Sequence, residues 1–321
     1  MSGDPIQPSG TDVVAVVVTW NRRDLLSESL TAIAAQTRPP RRTVVVDNAS
    51  DDGTADLLKA DFPDVDVVTA RTNTGGAGGF ALGLDAALDD QVDVVWLMDD
   101  DTVPEPTALA ELVEAREKVG SPAPAVVASR VVWTDGRDHP MNTPRPKPGM
   151  RSEERAAAAE VGCIPIRSAS FVSILVDAQG VRERGLPVAD YFLWNDDFEF
   201  TTRLIRGRRG LFCPRSVVVH KTKAYAGTEL DPGDRFFFEV RNKLWLYGRS
   251  HSLNPGEKAL YAGSTVRRWV RTIARSSDRK RLLRALGRGV RAGVTTRPAP
   301  TADVIKNAVS TRSYPSEADR G

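Results

Sequence analysis

The chain has 321 residues, 41% apolar and 27% charged, with 44 Lys and Arg against 42 Asp and Glu. That balance suits one large or two modest globular domains and excludes a wholly disordered or fibrous chain. Two cysteines, Cys163 and Cys213, allow one disulfide at most and form no zinc pattern, which favours a reducing compartment; MSGDPIQPSG is not a secretory leader, and the apolar run Val13 to Val18 is far short of a bilayer span.

The first half alternates short β-branched runs with amphipathic stretches of helix length. The pattern predicts strands at 13–19 (VVAVVVT), 43–47, 65–70 and 92–98, and helices at 23–35, 54–60, 78–89 and 106–119. Strands apolar on both faces, with helices between them, predict a parallel sheet of βαβ units. A further strand at 125–133 leads into 134–160, where Pro140, Pro144, Pro146 and Pro148 predict a mobile loop. Then come a strand at 168–177, a helix at 197–207, a strand ending at His220 and an aromatic helix at 235–249, with no internal repeat. Basic charge gathers near the C-terminus: residues 264–297 hold eleven Arg or Lys and one acid, Asp278. Apolar residues recur there at helical spacing, as Val266, Trp269, Val270 and Ile273 and again as Leu282, Leu283, Leu286 and Val290. An apolar face beside an Arg-rich face predicts helices lying on anionic lipid, with a solvated packing helix as the rival. A nucleic-acid patch fits less well, because no binding motif accompanies the charge.

Four segments carry chemistry. Asp99, Asp100 and Asp101 follow a buried strand; carboxylates so close raise one another's pKa unless a cation sits among them, and alternate residues at a strand end can face one divalent ion. The alternative is a solvated acidic turn. NTGGAGGF, residues 73–80, lies between a strand and a helix, where glycines admit a ligand close to the backbone and the helix start offers N–H groups to phosphate. Gly76, Gly78 and Ala81 also fit a dinucleotide fingerprint, but two strand-helix units precede them, which argues against a nicotinamide or flavin cofactor. WNDDFEF, residues 194–200, puts Asp196, Asp197 and Glu199 at a helix start, either as a general base among like charges or as a helix cap. His220, at a strand end, is either structural or the third member of a carboxylate metal site.

TWN at 19–21, VDNASDDGT at 46–54, the glycine segment, the Asp triplet, WNDDFEF and His220 stand in the order found in family-2 inverting glycosyltransferases of the GT-A fold. The chain resembles that family over about residues 12–249. NTGGAGGF, the DD-x-E segment and the later histidine most resemble the galactofuranosyltransferases of actinobacterial cell-wall galactan assembly. Trp20 departs from the aromatic usual there, and the chain lacks the extra domains of the polymerising members, as in the short initiating type that extends a polyprenyl-diphosphate-linked disaccharide.

The resemblance implies an α/β fold, a Rossmann-like mixed sheet flanked by helices with a basic helical C-terminal extension. Its expected divisions are a flexible N-terminus at 1–11, a glycosyltransferase domain at 12–249 split at 101 into nucleotide and acceptor halves, basic helices at 250–298 and a disordered tail at 299–321. It implies that Thr19 and Asn21 line the nucleotide pocket, that Asp47 accepts from the uracil imide, and that Asn73, Gly75 and Gly76 approach ribose and diphosphate. Asp100, Trp194 and Asp196 join the substrate pocket; Asp99, Asp101 and His220 hold Mn²⁺ or Mg²⁺; Asp197 is the base. Arg241 and Asn242 either contact phosphate or belong to a packing helix. The implied enzyme moves galactofuranose from UDP to a lipid-linked saccharide while peripherally attached to the inner face of the plasma membrane, without a nucleic-acid partner. Rivals are a rhamnosyltransferase using dTDP-rhamnose and a non-catalytic nucleotide-sugar or lipid-binding protein, against which intact Asp99, Asp101, Asp197 and His220 argue.

Overall fold

The structure is a computed structural model describing residues 10–313 except 145, 224 and 226–230, so the expected flexible N-terminus lies almost wholly outside the described residues. Strand β1 (Val13–Thr19) is buried on both faces because its alternate residues enter two cores: Val14, Val16 and Val18 one, Val13, Ala15 and Val17 the other. The chain continues through α1 (Arg23–Ala34), β2 (Arg42–Asp47), α2 (Thr54–Asp61), β3 (Asp66–Ala70), α3 (Gly75–Ala87) and β4 (Val94–Asp99), the predicted βαβ succession. Its second part comprises β5 (Thr102–Pro104), α4 (Ala108–Lys118), β6 (Val126–Val132), α5 (Ser152–Glu160), β7 (Ile164–Pro165), β8 (Ser173–Asp177), α6 (Ala178–Arg184), α7 (Asp196–Ile205), β9 (Gly210–His220) and α8 (Phe236–Arg249). Then follow α9 (Pro255–Arg275), α10 (Arg279–Thr295), α11 (Thr301–Ala308) and β10 (Val309–Ser313).

The strands form one sheet in the order β10-β3-β2-β1-β4-β8-β6-β9-β5, with β7 beside β9. Pairings β3-β2-β1-β4 are parallel, whereas β8 runs antiparallel to both β4 and β6. The sheet is therefore mixed, with the parallel half presenting its carboxyl ends at one edge, where open α/β sheets bind ligands. Helix α3 lies close on this half: a Cβ at Gly79 would meet Val18 Cγ1 at 2.4 Å, and one at Gly83 would meet Val16 Cγ1 at 2.3 Å.

Two expectations are corrected. Residues 134–160 are not a structureless loop: α5 occupies 152–160, and His139 is wholly buried with its N–H on Val131 O at 2.8 Å. Nor is the segment after 298 disordered over its described part, because α11 packs on the α3 side of the sheet and β10 pairs antiparallel with β3; residues 314–321 lie outside the described residues. Helices α9 and α10 are half docked. Leu282 and Ala285 join Phe236 and Val240 of α8 in a third core, with Trp269, Ile273 and Leu286 against it, while Gly289 and Gly293 let α10 approach α8. Cys163 and Cys213 are buried free thiols. No described helix is long and apolar enough to cross a membrane.

Candidate active site

The site assembles at the carboxyl ends of β1, β2 and β4, opposite the start of α7. Thr19 closes β1 and donates its hydroxyl to Asp100 Oδ2 at 2.8 Å, an oxygen that also takes the Trp20 N–H at 3.3 Å. Arg22 donates to Asp100 Oδ1 at 3.1 Å and to Asp101 Oδ2 at 2.5 Å. Both oxygens of Asp100 are thus committed inside the protein, and the residue assigned to substrate instead ties the end of β1 to the end of β4. Asn21 bridges to the next loop, donating to Asp51 Oδ1 and accepting the Asp51 N–H, both at 2.8 Å. Trp20 stands 51% exposed beside them.

The expected metal ligands are brought together: Asp99, Asp101 and His220 each offer one atom, all within 4.8 Å of one another. The position of His220 comes from pairing β9 with β5, which sets it opposite Thr102. Its Nδ1 lies 3.1 Å from Asn142 Oδ1, and the Asn142 amide nitrogen donates to Ser170 Oγ at 3.1 Å, so Nδ1 carries the proton. Nε2 then faces Asp101 Oδ1 at 3.1 Å, two acceptors that a proton or a cation must bridge. Oδ1 is buried and has no aligned hydrogen-bond donor among the described residues. Burial, then the Asp101 charge, pushes the Asp99 carboxyl up to about 7; burial and Asp101, against Arg22, bring Asp100 to about 6. Burial opposes ionisation of Asp101 too, but His220 and Arg22 outweigh it and hold the group below the ordinary carboxylate range. The His220 ring is raised, burial being outweighed by Asp101 and Asp99. Hard oxygen donors, one imidazole and an orphaned buried oxygen fit Mn²⁺ or Mg²⁺.

Near the Asp triplet, α7 opens with Asp196, Asp197 and Glu199 in its first turn. Burial and then the Asp197 charge push Asp196 well above the usual range, and Asp99 contributes in the same direction, so the two acidic groups feel each other across the site. Asp197 is raised by burial, against the Phe198 N–H, which donates to Oδ1 at 2.6 Å, and the nearby Lys243. Burial lowers the Lys243 ammonium to about 8, and its Nζ stands 4.5 Å from the Phe198 ring centroid.

The nucleotide segments are ordered largely by one another. Asp47 Oδ1 accepts the Ser50 N–H at 2.9 Å. Asn48 donates to Gly75 O at 3.0 Å and to Asn73 Oδ1 at 3.2 Å, and accepts the Thr74 N–H at 2.9 Å. Of the two glycines assigned to the donor, Gly76 faces open space, but a Cβ on Gly75 would lie 2.0 Å from Phe192 O. Arg241 and Asn242 likewise turn inward, donating to backbone carbonyls at 190–194 rather than lining an open phosphate site. Arg22, Asn48, Asn142 and Lys243 were missed from the sequence, although Arg22 follows TWN, Asn48 lies inside VDNASDDGT and Lys243 follows the Arg241-Asn242 pair; only Asn142 stands apart from a recognised motif.

A mixed α/β sheet whose parallel strand ends carry a cation-ready Asp-x-Asp and histidine, facing a raised carboxyl pair, defines a glycosyltransferase of the GT-A fold. The chain belongs to glycosyl transferase family 2, whose family model matches residues 14–175. It is 31% identical over 304 residues to "Galactofuranosyltransferase GlfT1" of Mycobacterium tuberculosis, covering 86% of this chain and 95% of that protein. The GlfT1 of Mycolicibacterium smegmatis is 34% identical over 212 residues, 61% of this chain and 66% of its own length. Among solved structures, S. aureus TarS 1-349 in complex with UDP superposes with a TM-score of 0.62 at 15% identity, over 88% of this chain and 81% of that one. The mannosyltransferase PcManGT from Pyrobaculum calidifontis, in complex with GDP-Man and Mn²⁺, gives 0.54 at 18% identity over 93% and 79%. These two likenesses show the fold.

Proposed function

We propose that this glycosyltransferase moves galactofuranose, with inversion, from UDP-galactofuranose to a polyprenyl-diphosphate-linked saccharide in cell-wall galactan assembly. The observation that carries the reading is the 31% identity to GlfT1 across 95% of that protein, an alignment long enough to span both halves of the site. Asp99, Asp101 and His220 would hold Mn²⁺ or Mg²⁺, as the orphaned Asp101 oxygen and the raised Asp99 carboxyl fit. A divalent ion there neutralises charge developing on a departing diphosphate. Asp47, with one oxygen on Ser50, offers the other to the uracil imide; Thr19 and Asn21 line the nucleotide pocket, and Asn73 and Gly76 approach the ribose and diphosphate. Asp197 removes the acceptor hydroxyl proton as that oxygen bonds to the anomeric carbon from the face opposite UDP, whose C–O bond breaks with its electron pair. Trp194 and Asp196 precede that carboxylate in sequence and present the sugar-discriminating surface.

The partner surface is an anionic membrane face. Arginines turned toward α8 are paired, Arg281 and Arg288 with Asp234 and Arg268 with Glu239. Arg267, Arg271, Arg275, Arg284 and Arg291 are exposed and form no ion pair among the described residues. Beside them on α10, Leu283, Val290 and Val294 are exposed at i, i+7 and i+11, one helix face. Unpaired guanidinium groups around exposed aliphatic side chains suit lipid headgroups and the first methylenes below them. The enzyme thereby sits peripherally where a prenyl-linked acceptor is held.

The test offers UDP-galactofuranose, UDP-galactopyranose, UDP-glucose and dTDP-rhamnose with a synthetic lipid-linked rhamnosyl disaccharide and Mn²⁺. Preferred transfer of galactofuranose is expected, because a site that hydrogen-bonds particular hydroxyls rejects analogues that leave its polar groups unpaired. Preferred use of dTDP-rhamnose overturns the donor assignment, and binding without turnover of any donor favours a non-catalytic protein.

A further inference from the structure

The backbone entering α7 is strained where it meets the proposed base. Phe192, Trp194 and Asn195 have φ of 63°, 66° and 66°, three of the five non-glycine residues with positive φ among the described residues. Side chains other than glycine rarely rest there, and such backbone persists only where its surroundings over-determine it. No side chain caps α7, because Asn195 is itself left-handed at the capping position. The turn, and not a cap, therefore sets where the helix begins.

Helix α8 supplies the constraint. Asn242 is wholly buried, and its amide nitrogen stands 2.9 Å from each of the carbonyls of Tyr191, Leu193 and Trp194. Two N–H bonds shared among three carbonyls place the amide at the centre of the turn, a geometry a hydrophobic core residue would not need. Arg241 donates to Asp190 O at 2.7 Å and Tyr191 O at 3.1 Å, with its guanidinium 4.2 Å from the Trp245 ring centroid. Glu239 accepts from the Asn195 side chain at 2.8 Å. The start of α3 closes on the same turn from the other side, where Ala77 N–H donates to Phe192 O at 3.3 Å and Gly75 leaves room for that oxygen.

We infer that Asn242, assisted by Arg241, is a positioning residue that fixes the 191–195 turn and so sets where the Asp197 carboxylate stands against the acceptor. This rests on Asp197 being the base. A displacement of about 1 Å in a reacting group costs about 10²-fold in rate, while the uracil and metal contacts proposed for Asp47, Asp99 and Asp101 lie at the ends of β2 and β4, off this turn. The test uses the full chain with Mn²⁺, UDP-galactofuranose and the lipid-linked acceptor, comparing wild type, Asn242→Ala, Arg241→Gln and Asp197→Asn. Turnover is expressed per folded molecule, and UDP affinity is measured in parallel. Asn242→Ala is expected to lose about 10²-fold in kcat with UDP affinity within about twofold of wild type, and the partly exposed Arg241→Gln about tenfold. A residue serving stability alone would lower the melting temperature and leave kcat per folded molecule intact. Folded Asn242→Ala turning over within about threefold of wild type overturns the inference. If Asn242→Ala does not fold, Arg241→Gln decides in the same way, with wild-type kcat overturning it. Activity retained in Asp197→Asn defeats the base assignment instead, and is read separately from the Asn242 result.

Discussion

Asp99, Asp100 and Asp101 end a buried strand and meet positive partners: Arg22 on two of them, and His220 3.1 Å from Asp101. Asp196 and Asp197 begin a helix and form no ion pair among the described residues, only backbone N–H contacts and the electrostatic presence of Lys243. Burial acts on both groups. In the first it leaves one carboxyl lowered and two at about 7 and 6, a shortage of positive charge that one divalent ion would fill. In the second it leaves both carboxyls raised, with Lys243 relieving Asp197 only in part, the condition of a group that takes up protons. Opposite environments for one residue type are how acid-base and charge-neutralising roles are separated on one scaffold.

The largest effect that can break this comparison is in turnover. Asp197→Asn keeps the shape of the side chain but accepts no proton, and kcat is expected to fall by about 10²- to 10⁴-fold at saturating donor. A variant within a few-fold of wild type would move the base to Asp196. Next in size is Asn142→Ala, which frees the His220 ring from its orienting partner. Mn²⁺ affinity, read by the ion's electron paramagnetic resonance, is expected to drop about 10- to 100-fold, and unchanged affinity would show that Asp99 and Asp101 alone do the holding. Smaller again, replacing Arg284 and Arg291 with Gln should weaken binding to anionic vesicles by about 1 kcal/mol per residue, more visibly at low salt, with turnover on detergent-dispersed acceptor unchanged. Equal vesicle binding would return α10 to a solvated packing helix.

The smallest effect sharpens the contrast through stability. A carboxyl whose folded-state pKa is raised binds its proton more tightly in the native state, so its contribution to stability is fully present below the unfolded value of about 3.9 and is lost as pH rises through the raised value. Asp197→Asn removes that loss. The variant should melt above wild type at neutral pH, with the gap closing as pH falls toward about 4. A lower melting temperature at neutral pH would show that the ionised carboxylate stabilises the fold.

The sheet was legible where local pattern decides it. VVAVVVT could bury both faces only between helices, and each βαβ unit as far as β4 was found with ends shifted by a few residues. The Asp triplet and His220 were legible as candidates because their chemistry is written in residue type, and β9-β5 pairing brought them together. What failed was non-local. VSTRS carries little strand pattern, and β10 forms because the exposed edge of β3 accepts it. The prolines of 140–148 suggested mobility, yet His139 is fixed by burial and by Thr222 Oγ1 at 3.1 Å, eighty-three residues away. Arg241 and Asn242 were noticed as a pair, but their task depends on carbonyls about fifty residues earlier, which no local spacing reveals.

The division between the two acidic clusters is tested most directly by titrating UDP in the presence of Mn²⁺ into Asp101→Ala and Asp197→Asn while turnover is followed on the same preparations. Asp101→Ala is expected to lose metal-dependent UDP binding and activity together, because an ion there would join the carboxylates to a diphosphate they otherwise repel. Asp197→Asn is expected to bind UDP within about twofold of wild type and to lose about 10²-fold or more in kcat. Metal-dependent UDP binding surviving in Asp101→Ala, or lost in folded Asp197→Asn, would contradict this division of roles.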